Sequence, residues 1–155
     1  LCVFLISCAS GPSYQEPDGD KVSLATLQGS KVGEGISTQW AHFSPTKIDG
    51  QKPSYKMENV IYRKHLLAPG THEISVHANY NVGFLKGCPC SAETVLTAEF
   101  EAGKSYKIDG NVNRDAVDFW IKDIESNQKI SPVVTVRSKA TPQVISVPGQ
   151  GTILY

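Results

Sequence analysis

Apolar and polar residues alternate along most of residues 21–137, with a period nearer two than 3.6. The clearest case places His72, Ile74, Val76 and Ala78 on one side, and Thr71, Glu73, Ser75, His77 and Asn79 on the other. Successive side chains of a strand point to opposite faces, so this segment reads as a half-buried strand. Thr94, Leu96, Ala98 and Phe100 repeat the pattern against Val95, Thr97, Glu99 and Glu101. Ala102-Gly103-Lys104 reads as a hairpin-like break, after which Tyr106 and Ile108 alternate with Lys107 and Asp109. Residues 117–124 and 132–137 carry further strands.

Toward the N-terminus the signal weakens. Val22, Leu24 and Thr26 against Ser23 and Ala25 give a first strand, with Ala25 on the polar side. Residues 36–48 form an extended region bearing Trp40 and Phe43, closed by the turn pair Asp49-Gly50. Residues 55–67 form another, ending at the strong turn Ala68-Pro69-Gly70. The nearest approach to an amphipathic helix is 115–126, where Phe119-Trp120-Ile121 favours a strand instead. The expectation is an all-β chain: an antiparallel β-sandwich of about seven to eight strands over residues 21–137. Its interior should hold Trp40, Ile74, Val76, Phe100, Tyr106 and Trp120. Residues 138–155, with two Pro and two Gly, read as a C-terminal arm with one short extended piece.

The first residues break the alternation. Leu1-Cys2-Val3-Phe4-Leu5-Ile6 is an uninterrupted apolar run, followed by the small residues Ser7-Cys8-Ala9-Ser10-Gly11. A bilayer span takes about 20 apolar residues, so the run reads as part of a secretory signal covering residues 1–7. Gly11 to Asp20 (GPSYQEPDGD) is nearly devoid of apolar residues and reads as an extended, solvated tether, residues 8–20 in all.

Leu5-Ile6-Ser7-Cys8 resembles the lipobox of bacterial lipoproteins, a branched apolar residue three places before a lipidated cysteine. The resemblance implies that Cys8 becomes the acylated N-terminus and that the lipid bilayer is a partner. Several acyl chains on one residue anchor a protein stably, whereas a single chain does so only marginally. Ala9, where the family's inner-membrane proteins carry Asp, implies the outer membrane of the envelope. Leu67-Ala68-Pro69-Gly70-Thr71-His72-Glu73-Ile74-Ser75-Val76 and Phe100-Glu101-Ala102-Gly103-Lys104-Ser105-Tyr106 resemble phrases of PEGA-type modules and small envelope lipoproteins. That similarity covers about a third of the chain and implies a β-sandwich with no catalytic residues to carry over.

Charge adds an exclusion. Lys+Arg and Asp+Glu number 15 each, and no run of like charge occurs, which argues against a nucleic-acid partner. The cysteines add a question. With Cys8 lipidated and Cys2 removed, Cys88-Pro89-Cys90 holds the remaining thiols, and an exported chain is expected to join them in a small disulfide. Redox exchange remains open there, as does a soft-metal site with His72 or His77 as an added ligand. His72, on the apolar side, is expected to be a satisfied core residue.

Asp109-Gly110-Asn111-Val112-Asn113-Arg114-Asp115 places oxygen ligands at alternate positions, as calcium loops do. Arg114 stands at the turn-glycine place and Trp120 at the twelfth, so an ordinary turn is expected. No nucleophile–base pair, nucleophile elbow or phosphate loop can be proposed, so no metal, cofactor or enzymatic role is expected. The leading expectation is a membrane-anchored envelope lipoprotein with a binding, structural or assembly-accessory role. The alternative is a metal-handling or thiol-active protein using the Cys88/Cys90 loop.

Overall fold

The computed structural model describes residues 13–33, 39–53, 63–82, 90–113, 116–137, 139–140, 144–147 and 151–154. Among them the protein is all-β, with fourteen strands and no helix. In chain order these are β1 (Ser13–Tyr14), β2 (Ala25–Gln28), β3 (Ser30–Val32), β4 (Trp40–Ile48) and β5 (Lys52–Pro53). Next come β6 (His65–Leu67), β7 (Gly70–Asn81), β8 (Cys90–Phe100), β9 (Ser105–Asn113) and β10 (Ala116–Asp123). The last are β11 (Val134–Arg137), β12 (Lys139–Ala140), β13 (Val144–Val147) and β14 (Gly151–Leu154).

Two five-stranded sheets carry the fold. One, ordered β12-β8-β7-β4-β3, is antiparallel throughout. The other, ordered β11-β10-β9-β2-β6, contains the parallel pair β2/β9, so the expected purely antiparallel arrangement does not hold. A second parallel pair joins β1 to β5. The strands also outnumber the expected seven to eight, because several are too short to show as alternation. Near the C-terminus, β12 pairs with β8 and β13 with β14, so more of the arm is extended than expected.

Period-two burial explains which residues build the core. On β7, Ile74, Val76, Ala78 and Tyr80 are buried, and on β8 Leu96, Ala98 and Phe100 face the same way. On β10 the buried set is Val117, Phe119 and Ile121. These belong to one apolar cluster shared by both sheets. Phe43 of β4 meets Phe119 of β10 edge-on at 5.8 Å, and Phe100 meets Tyr106 at 5.0 Å, each pair bridging the sheets.

Three expectations about the body are corrected. Trp40 and Trp120 are half-buried on outer faces, because their neighbours Ala41, Phe119 and Ile121 take the inward parity. The first strand begins later than expected: Val22 sits exposed in a turn, and Ala25 and Leu27 are the buried residues of β2. The Ala102-Gly103-Lys104 break is a corner between sheets rather than a hairpin, since β8 and β9 belong to different sheets. Ala68-Pro69 does the same between β6 and β7.

The Asp49-Gly50 turn is as the sequence indicates. Ile48 and Gln51 exchange two backbone hydrogen bonds of 2.9 Å, with φ of 49° at Asp49 and 76° at Gly50. Positive φ at both central residues is the conformation that Asp-Gly favours in two-residue turns. Pro45 lies mid-strand, which is tolerable because β3 reaches only Phe43 and the pairing with β7 shifts register between Pro45 and Lys47.

Candidate functional site

Lipidation at Cys8 would make the attachment of the N-terminal segment the functional joint of the molecule. Cys8 itself lies outside the described residues. Among the described residues that follow, 15–20 are mostly exposed, while Ser13 and Tyr14 are fastened to the body. Ser13 pairs with Lys52 and Tyr14 with Pro53. The Tyr14 hydroxyl donates to the Leu66 carbonyl at 2.8 Å, and its ring packs against the core. Burial, with help from the carboxylates of Asp49 and Glu16, pushes the Tyr14 phenol up to about 12. It therefore stays a donor at any physiological pH.

Two residues on, Glu16 lies 3.4 Å from Nδ1 of the buried His65. Burial holds the His65 imidazole below its usual value, with Arg63 acting the same way and Glu16 opposing. Sequence reasoning missed this fastening. The available signal was Tyr14, the one aromatic residue in an otherwise polar run.

The thiol site is half visible. Cys90 opens β8, buried on the inner face and paired across the ladder with Tyr80. Its sulfur is bonded. Cys88 lies outside the described residues, so the expected Cys88–Cys90 pairing is not among the described contacts. Neither histidine considered as an added metal ligand stands beside Cys90. His77 pairs with Glu93 on the outward parity of the sheet, and His72 lies toward the opposite end of β7.

His72 is satisfied, as expected, but half-buried at the edge of the core rather than within it. Its Nδ1 is 2.6 Å from Asp49 Oδ2 and its Nε2 2.8 Å from the Ala68 carbonyl, while the ring meets Phe100 edge-on at 5.7 Å. Asp49 Oδ1 accepts from the Glu73 amide at 3.0 Å, so one carboxylate ties the β4–β5 turn to β7 and the β6–β7 corner. Glu101 has a similar task, its amide donating to the Tyr106 hydroxyl at 3.0 Å and its carboxylate meeting Lys104 at 2.8 Å.

Of the oxygen-rich stretch from Asp109, Arg114 and Asp115 lie outside the described residues, and residues 109–113 are strand rather than turn. They continue β9 as far as Asn113, which puts Asp109, Asn111 and Asn113 on one outward face. Their partners are internal: Lys122 meets Asp109 at 2.9 Å, and Asn113 donates to Asp118, which also accepts from Thr135 at 2.6 Å. Among the described residues no group of three or more His, Cys, Asp or Glu is placed to hold a metal ion. A cavity of about 170 Å³ opens between the sheets, with Val32, Gln39 and Trp40 on one side and Gly110, Asn111 and Val112 on the other. Beside it Trp40 packs on His42 at 4.8 Å, whose imidazole burial and then Lys31 hold below its usual value. Among the described residues no helix is long and apolar enough to cross a membrane. Comparison with family models, curated proteins and solved structures finds no match to this chain.

Proposed function

We propose that the chain is a lipid-anchored protein of the bacterial envelope, a β-sandwich held at the outer membrane through acylated Cys8. Its role in this reading is binding, structural or assembly-accessory rather than catalytic. The observation that carries it is the apolar run ending in Leu5-Ile6-Ser7-Cys8, with a polar stretch directly after it. The sandwich reading rests on two five-stranded sheets sharing one core. The bonded state of Cys90, its inward position and the distance of His72 along β7 favour a structural role for that sulfur, with Cys88 as its proposed partner.

The test is the intact mass of protein extracted from membranes. It should equal the polypeptide from Cys8 plus its acyl groups, and Cys8→Ala should release the protein from the membrane or leave it unprocessed. A soluble wild-type protein that retains its apolar N-terminus would overturn the proposal.

A further inference from the structure

The short distance along the chain from Cys8 to the first fastened residue limits how the body can stand on a membrane. Five Cα steps separate Cys8 from Ser13, at most about 18 Å when fully extended. Ser13 is paired with Lys52, two residues beyond Gly50 and therefore about 7 Å along the strand from the Asp49-Gly50 turn. Because β1 runs parallel to β5, which leaves that turn, the chain enters β1 from the turn's side. The same end of the two sheets carries the Ala68-Pro69 and Ala102-Gly103 corners and the turn after Asp123.

A second, independent feature marks this end. Val22, at 78%, is the most exposed large apolar side chain among the described residues, and Ile124 is 42% exposed; Val32, Val95 and Val133, at 46–48%, lie elsewhere on the surface. Val22 and Ile124 belong to one neighbourhood: the Gly103 amide donates to the Leu24 carbonyl at 3.0 Å, and the Ile124 amide to the Ser105 carbonyl at 2.9 Å. The charges there are mixed, and Lys104 is paired with Glu101 at 2.8 Å.

We infer that this end is a membrane-docking surface, resting on the lipid headgroups with Val22 and Ile124 in contact with the interface. The inference depends on the proposed acylation of Cys8. In it the leash holds the body close to the bilayer, and the apolar tips fix which end faces down. Trp40 and the cavity beside it belong to the other end, at the start of β4, and are thereby presented away from the membrane.

The test uses the full lipidated protein in phosphatidylcholine vesicles whose acyl chains carry a nitroxide quencher near the headgroup. Val22→Trp adds a reporter at the proposed contact. Val95→Trp adds one on the outer face of β8, where Val95 is 47% exposed. After subtraction of the wild-type emission, the signal added by Val22→Trp should lose about half its intensity, as expected within the interfacial depth of a docked apolar residue. The signal added by Val95→Trp should lose none. Ile124→Trp should behave like Val22→Trp, which covers the case in which one variant folds poorly. Equal quenching at both positions, or none at either, in a sample whose intact mass shows acylated Cys8 overturns the docking and leaves the anchor standing. A mass without acyl groups overturns the anchor and the docking together.

Discussion

The antiparallel and mixed sheets share one core but are built differently. In the antiparallel sheet, β7 and β8 pair over eleven consecutive positions, from Gly70↔Phe100 to Tyr80↔Cys90. Each strand has enough length to specify its own register through alternation. In the mixed sheet, β2 holds only three positions against β6 and three against β9, the latter in parallel. Strands that short cannot fix a register from pattern alone. They are fixed by what flanks them, such as the Thr26 hydroxyl on Ser105 at 2.8 Å and Thr26 N on the Lys104 carbonyl at 3.0 Å. The long pairings, β7/β8 and the β9/β10 pair of the mixed sheet, are thus ordered by their own sequence, and those of β2 by its neighbours.

If the core couples them, damage to the antiparallel sheet must unfold the mixed sheet as well. Phe43→Ala removes a fully buried ring that contacts Phe119 across the interface. The loss should be about 3–5 kcal/mol. Chemical denaturation followed by tryptophan fluorescence should give one transition, since Trp40 reports one sheet and Trp120 the other. Two separated transitions would show that the sheets fold as independent units.

The contact can be sharpened from the other side. Gly110 of β9 leaves room for Phe43: a Cβ there would fall 2.4 Å from both Phe43 Cε1 and the Asp118 carbonyl oxygen. The carbonyl belongs to a paired strand and cannot swing aside as a side-chain tip would. Gly110→Ala should therefore cost about 3 kcal/mol, read as a lowered denaturation midpoint with an unchanged slope. Stability within error of wild type would show that β9 yields more easily than its pairing implies.

These residues also show what was legible in the sequence. Alternation located β7, β8, β10 and much of the core because those strands are long. It misjudged Trp40 and Trp120, since hydrophobicity says that a residue is apolar and only parity says which way it points. It mistook the β8–β9 corner for a hairpin because the same Gly turn chemistry serves both, and only the pairing of β9 with β2 and β10 decides. It read the stretch from Asp109 as a turn because Asp, Gly and Asn favour turns, whereas Val112 pairs with Val117 and draws the stretch into a strand. At the candidate site, the proposal for Cys8 rests on a local motif. The fastening of Tyr14 was not legible, because a contact between residues 14 and 66 leaves no local pattern.

A smaller effect should come from the turn that joins the sheets' common end. Asp49 accepts from Glu73 and meets His72, besides adopting a positive φ. Asp49→Ala removes both hydrogen bonds and strains the turn, for about 2 kcal/mol. Asp49→Asn tolerates the same φ and keeps one acceptor, so it should cost less than half as much by the same denaturation measurement.

The gentlest separation of the two sheets is by pH. His65 lies on β6 at the edge of the mixed sheet, and His42 lies on β4 in the antiparallel one. Burial lowers both imidazoles from their usual value, opposed at His65 by Glu16 and reinforced at His42 by Lys31. A folded value below the unfolded one means that the unfolded chain takes up protons first as pH falls. Stability from these groups is therefore complete above about 6.5, the unfolded imidazole value, and declines as pH drops through it toward the folded values. The carboxylates of Asp20, held down by Ser23, and of Asp123, held down by the Ser126 and Glu125 amides, act in the same direction at lower pH. They begin to matter only near the unfolded carboxylate value of about 4, which leaves a window for histidine alone. His65 is 1% exposed, whereas His42 is half-buried, so His65 should dominate that window. Thermal midpoints taken at steps from about pH 7.5 to 5.5 should fall for the wild type, fall much less for His65→Gln, and fall nearly as far for His42→Gln. A profile flattened by the His42 substitution instead would mean that acid first loosens the long-stranded sheet, reversing the ranking of the two.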